Sequence, residues 1–174
     1  MKKLLRSTLA VCLLLCMVLG LTACGAKPLK EEDVIGTWQT THVTYTADAR
    51  NTAGYQSCDY TKAQYVELLA KIDANTATAK EQDDYYALSG FFDVDTAVRA
   101  DGKIYDVDGT VEYLLASWEI EDGKFVYTLI MNAGLDTSTA EYKNGKIIVT
   151  YTIDRNDPSQ GTFVYVLEKL PAVA

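Results

Sequence analysis

Four turn signals punctuate the second half of this chain: Asp101-Gly102-Lys103, Asp108-Gly109, Asp122-Gly123-Lys124 and Asn144-Gly145-Lys146. Asp-Gly and Asn-Gly reach the positive φ angles that two-residue hairpins require. The runs between and beyond them are rich in β-branched and aromatic residues, as is the opening segment "DVIGTWQTTHVTYTA". Together they predict eight strands, and consecutive hairpins imply an antiparallel up-and-down meander. Alternation places Ile147, Val149, Tyr151 and Ile153 on one face of their strand, and Phe163, Tyr165 and Leu167 likewise share a face of theirs, while Ile148, Val164 and Val166 point the other way. Closing such a sheet into an eight-stranded barrel removes its exposed edges. The expected fold is therefore mainly β.

One stretch departs from that pattern. Thr61 with Gln64, and Thr78 with Glu81, each have capping-box spacing. Tyr65, Leu68, Leu69 and Ile72 then recur at helical intervals, as do Tyr85 and Leu88, and Gly90 stands where a C-terminal cap belongs. This predicts a two-helix insertion over 61–90, after the first strand.

The front of the chain is of another kind. Lys2, Lys3 and Arg6 precede an apolar run from Leu9 to Leu21. That run is shorter than the roughly 20 residues of a bilayer span and has the layout of a secretory signal. Leu21-Thr22-Ala23-Cys24 resembles the lipobox of bacterial lipoproteins. The resemblance implies cleavage after residue 23 and a lipid on Cys24. Residues 1–23 are then a signal peptide, 24–32 a tether, and 33–174 one domain. Each buried methylene contributes about 0.8 kcal/mol, and two acyl chains suffice for stable anchoring. The expected location is the extracytoplasmic face of the cell membrane.

Three of the 16 basic residues fall within the first 23 positions, whereas all 24 acidic residues lie beyond. The remainder carries 13 basic against 24 acidic groups, a net −11. Such a body repels nucleic acid and anionic lipid. Cys12 and Cys16 leave with the signal, and Cys24 is taken by the lipid. Cys58 is then the one remaining thiol, so no internal disulfide forms.

Gly36-Thr37-Trp38 at the head of the first strand, followed by seven meandering strands, resembles the lipocalin pattern, in particular the lipocalin-like domains of small bacterial lipoproteins. The resemblance implies that Gly36 permits a close backbone approach and that Trp38 packs across the closed end of a barrel. It also implies an apolar small-molecule ligand inside. Lys169 stands where lipocalins often place an arginine against the tryptophan.

Residues with catalytic potential are sparse. His42 is the sole histidine and reads as a strand residue beside Thr40 and Thr44. Cys58 with His42 is the one possible thiol dyad, which requires hydrogen-bond proximity. Asp106 and Asp108, like Asp93 and Asp95, alternate on a strand, but the loop from Asp106 places Gly109 fourth and Val111 sixth, so it fails the helix-loop-helix calcium pattern. Solvated hairpin ends are the expectation there, and solvation is likewise expected for Asp83-Asp84 and Glu31-Glu32-Asp33. No phosphate-cradling glycine loop and no Cys-x-x-Cys pair occurs, so no cofactor or metal is expected. Tyr85 and Tyr86 beside Gly90-Phe91-Phe92 are expected to seat the helices on the sheet; the alternative is an aromatic cluster that stacks on a sugar or lines a pocket mouth.

Two function classes follow. The first is a binding module for an apolar or aromatic small molecule, lined by Leu114, Trp118, Tyr127, Leu129, Tyr151 and Tyr165 according to strand alternation. The alternative is a cell-envelope protein with a filled core that binds a protein or glycan through its surface. An enzyme has the least support.

Overall fold

The computed structural model describes residues 28–130, 137–153 and 161–172. A helical turn, α1 (Glu31–Val34), leads into β1 (Gly36–Ala47). Then come β2 (Cys58–Thr61), α2 (Lys62–Asp73) and α3 (Ala79–Phe92). The rest is a run of hairpins: β3 (Asp95–Val98), β4 (Lys103–Asp108), β5 (Val111–Glu121), β6 (Lys124–Leu129), β7 (Thr137–Lys143), β8 (Lys146–Thr152) and β9 (Gly161–Lys169).

The strands pair antiparallel in the order β6-β5-β4-β3-β1-β9-β8-β7. First and last strands meet along most of their length, from Trp38 opposite Lys169 to Ala47 opposite Gly161. The free edges of β6 and β7 run side by side without a ladder, so the eight-stranded barrel is nearly closed. Asp122 and Asn144 adopt the positive φ that their turns demand (51° and 54°).

β2 is a ninth strand, one more than the eight that the turn signals predict, and lies in the polar stretch between β1 and α2. It pairs with the second half of β1 on the edge that β3 leaves free, His42 to Tyr45 facing Thr61 to Cys58. Four residues are too short to show alternation. The first strand also begins later than expected, because Glu31–Val34 coils into α1.

Both capping boxes are formed. The Thr61 and Thr78 hydroxyls accept from the N–H groups of Gln64 and Glu81, and each of those side chains accepts from its cap's N–H. Gly90, however, does not end α3. The helix continues through Phe91 and Phe92 and is capped by Asp93. A mid-helix glycine costs roughly 0.5–1 kcal/mol, which burial of a phenylalanine, at about 1.5–3 kcal/mol, outweighs.

Two clusters fill the structure. At one end Val34, Trp38, Trp118, Phe125, Ile147 and Leu167 form a floor. Toward the other end α2 and α3 lay Tyr65, Leu68, Leu88 and Phe92 against Val43, Tyr45 and Phe163. A β-bulge at Thr41 makes this possible. Trp38 and Thr40 face inward before it, and Val43 and Tyr45 after it, opposite the inward Tyr165 and Phe163.

The floor is locked at the Gly-x-Trp triplet. Trp38 is fully buried, and its Nε1 donates to the Val34 carbonyl at 2.9 Å. Gly36 has φ +148°, and a Cβ there would lie 2.6 Å from Lys169 Cε. Only glycine combines that backbone angle with that approach.

Candidate functional site

Between floor and roof lies a partly enclosed cavity of about 180 Å³. Thr96 of β3, Asp106 of β4, Leu115 of β5, Tyr127 and Leu129 of β6, Ser138 of β7, Tyr151 of β8 and Tyr165 of β9 form its wall. Gly90 and Phe91 of α3 cover it, and the Phe91 ring packs 5.1 Å from that of Tyr165.

Of the six residues placed in the lining by alternation, Tyr127, Leu129, Tyr151 and Tyr165 border this cavity. Leu114 does not; it is 39 % exposed. Tyr105 pairs with Leu114 and Ile104 with Ala116, so a bulge at Leu115 reverses the alternation. Leu115 takes the wall position, and Leu114 faces out. Trp118 does face inward, but lower down. Its ring lies 6.0 Å from Phe125 in the floor, with Nε1 donating to the Arg99 carbonyl at 2.9 Å.

Asp106 corrects the expectation of a solvated hairpin end. Its register partner is Thr96, itself buried, and the inward Ile104 lies two residues before it. The pleat therefore turns its carboxylate into the barrel. Burial pushes its pKa from the ordinary 3.8 up to about 6, and no hydrogen bond or basic group among the described residues opposes that. The signal was present in the sequence as an acid at i+2 from an inward isoleucine.

The phenols around it are also perturbed. Burial, opposed in part by the neighbouring Ser138, moves the Tyr127 hydroxyl up to about 12, with the Asp106 charge adding to the rise. Burial raises Tyr165 well above its ordinary value, and Tyr127 and Asp106 contribute. Ser138 Oγ lies near enough to Tyr127 to act on its ionisation, yet is buried without a hydrogen bond of proper geometry. The cavity is thus apolar and aromatic in bulk, with a carboxyl and a few hydroxyls converging on it.

The other candidates are dispersed. His42 projects from the outer face and shares Asp59 with Thr44, Nε2 to Oδ1 at 2.7 Å. Cys58 faces the opposite side, opposite Tyr45, and burial with nearby Asp84 pushes its thiol up to about 11. The two share no hydrogen bond and form no dyad. Asp84, expected to be solvated beside Asp83, is instead buried and accepts from Tyr60 Oη at 2.8 Å and Lys80 Nζ at 2.6 Å. Tyr85 stacks on Tyr65 with ring centres 6.2 Å apart, whereas Tyr86 is 70 % exposed.

Among the described residues no three His, Cys, Asp or Glu side chains gather as a metal site, and no helix is long and apolar enough to cross a membrane. A larger groove of about 700 Å³ lies outside the floor. Its lining includes the hairpin ends Gly123-Lys124 and Lys143-Asn144, which lack the inward convergence of the interior cavity. No protein-family model and no curated protein matches this sequence.

Proposed function

We propose that this chain is a lipid-anchored, extracytoplasmic binding protein of lipocalin-like type that holds a small apolar or aromatic molecule in its barrel. The observation that carries this reading is the interior cavity walled by Tyr127, Leu129, Tyr151 and Tyr165. Ligand sites are mostly apolar concavities with a few placed polar groups. At about 180 Å³ this one is smaller than an ordinary drug-sized pocket. A dry cavity of roughly 150 Å³ accommodates benzene, so the fitting cargo is a single ring or its aliphatic equivalent.

Native mass spectrometry of the full protein, extracted from the membrane of its own host, tests the reading. The expected result is a mass excess that disappears in Leu129→Trp, where the indole fills the space. A clean apo mass in both proteins overturns it. The alternative, an envelope protein that docks a protein or glycan, draws on the exposed Val111, Tyr113 and Leu114 beyond the β4–β5 turn. It predicts no such excess.

A further inference from the structure

We propose that the barrel cavity selects a small protonated amine carrying one apolar group, with the Asp106 carboxylate as its counter-ion. This rests on the reading of the barrel as a small-molecule container and names the chemistry of the cargo.

The argument begins with an uncompensated charge. Asp106 presents its carboxylate to the cavity without a hydrogen-bonding or basic partner among the described residues. A half-buried carboxylate with no partner still carries a desolvation cost that pairing would relieve. The fully buried Asp84, by contrast, is satisfied from within by Tyr60 and Lys80. Asp106 has no such arrangement.

The surroundings decide what can pair with it. Thr96 lies beside it on β3, and Tyr113 is its register partner on β5. Tyr127, Tyr151 and Tyr165 border the same space from β6, β8 and β9, and Phe91 from α3. No basic side chain is among them, and burial holds the Tyr127 and Tyr165 phenols protonated. The faces of such rings attract cations, and more strongly when water is excluded. An ammonium donates to the carboxylate in a charge-assisted bond of about twice ordinary strength. The buried Ser138 Oγ offers an acceptor for a second N–H.

Other ligand classes fit less well. An anion meets the Asp106 charge directly. A neutral hydrocarbon fills the volume but leaves the carboxylate unpaired. The cavity volume admits about one ring, so benzylamine matches both size and charge.

Calorimetric titration of the full chain in detergent, with benzylamine, benzyl alcohol and benzoate as probes, tests the assignment. The expected order at pH 7.5 is benzylamine at least about tenfold tighter than benzyl alcohol, with benzoate not binding. Asp106→Asn should abolish the preference while retaining benzyl alcohol binding. In the wild-type protein benzylamine affinity should fall by about tenfold between pH 7 and pH 5, as the carboxylate takes a proton. That series stands even if the variant folds poorly. Benzyl alcohol binding as tightly as benzylamine, with no pH dependence, overturns the amine assignment and leaves the container reading intact. Failure of all three probes to bind, with a clean apo mass in the native spectrum, overturns both.

Discussion

The Lys169 ammonium lies 5.7 Å from the centre of the Trp38 ring and donates to the Glu32 and Asp33 carbonyls at 3.0 and 3.2 Å. The last strand thereby holds the first strand's tryptophan and the end of α1 in one contact. Lys169→Ala removes a cation–π contact worth about 0.5–2 kcal/mol and leaves those two carbonyls without this donor. Loss of about 1–3 kcal/mol is expected in denaturant unfolding, with Lys169→Arg retaining a larger share. Gly36→Ala should also destabilise, because its φ of +148° strains any L side chain and the lysine must shift to admit the Cβ.

Gly90 carries the opposite sign. It lies inside α3, and a Cβ there meets nothing within 4 Å. Gly90→Ala should therefore stabilise the protein by about 0.5–1 kcal/mol. A rise in the urea midpoint with an unchanged m value checks this.

Asp106 makes stability depend on pH in a definite direction. Its folded pKa of about 6 exceeds the ordinary 3.8, so between those values the native state binds more protons than the unfolded chain. Its contribution is greatest below about pH 4 and declines as pH rises to about 6, beyond which the full penalty applies. Asp59 and Glu81 have lowered pKa values and act in the reverse sense. The informative quantity is therefore wild type minus Asp106→Asn, from urea titrations between pH 4 and 8. The variant should gain relative stability as pH rises through that window, and lose the gain when benzylamine saturates the wild type.

Asp84 joins β2 to α3 through Tyr60 and Lys80. Asp84→Ala leaves the Tyr60 hydroxyl without that acceptor and should cost about 2–3 kcal/mol. Exchange of the α3 amides should accelerate more than that of β8 or β9, which hydrogen–deuterium exchange resolves.

Cys24 provides a test of location. Cells fed an alkyne-bearing fatty acid should label the wild-type protein, and Cys24→Ser should be unlabelled and released from the membrane fraction. Equal labelling of both removes the anchor from the proposal.

The strands from β3 to β9 were legible because hairpin turns and alternation are local properties, and the helices because Thr61 and Thr78 carry their partners three residues on. The bulges at Thr41 and Leu115 were not. Each inserts one residue into a ladder, a decision made by the neighbouring strand rather than by the bulged residue. Alternation alone therefore points Leu114 inward and Leu115 outward, the reverse of what the bulge produces. Tyr127, Leu129, Tyr151 and Tyr165 reach the cavity wall because no extra residue is inserted into their own strands, the bulges lying on β1 and β5. Asp106 was missed for a chemical reason: an aspartate beside a Gly turn reads as wet until the register shows where its side chain points.

Leu29 already packs against the floor beside Val34 and Trp38. Any attachment at Cys24 is therefore on a leash of only four intervening residues, Gly25 to Pro28, about 17 Å at full stretch. With the proposed lipid in place, the bilayer would meet the base of the molecule, and the aromatic hollow would stand off on the far side. On that proposal, cargo would come from the aqueous space of the envelope rather than sideways out of the lipid.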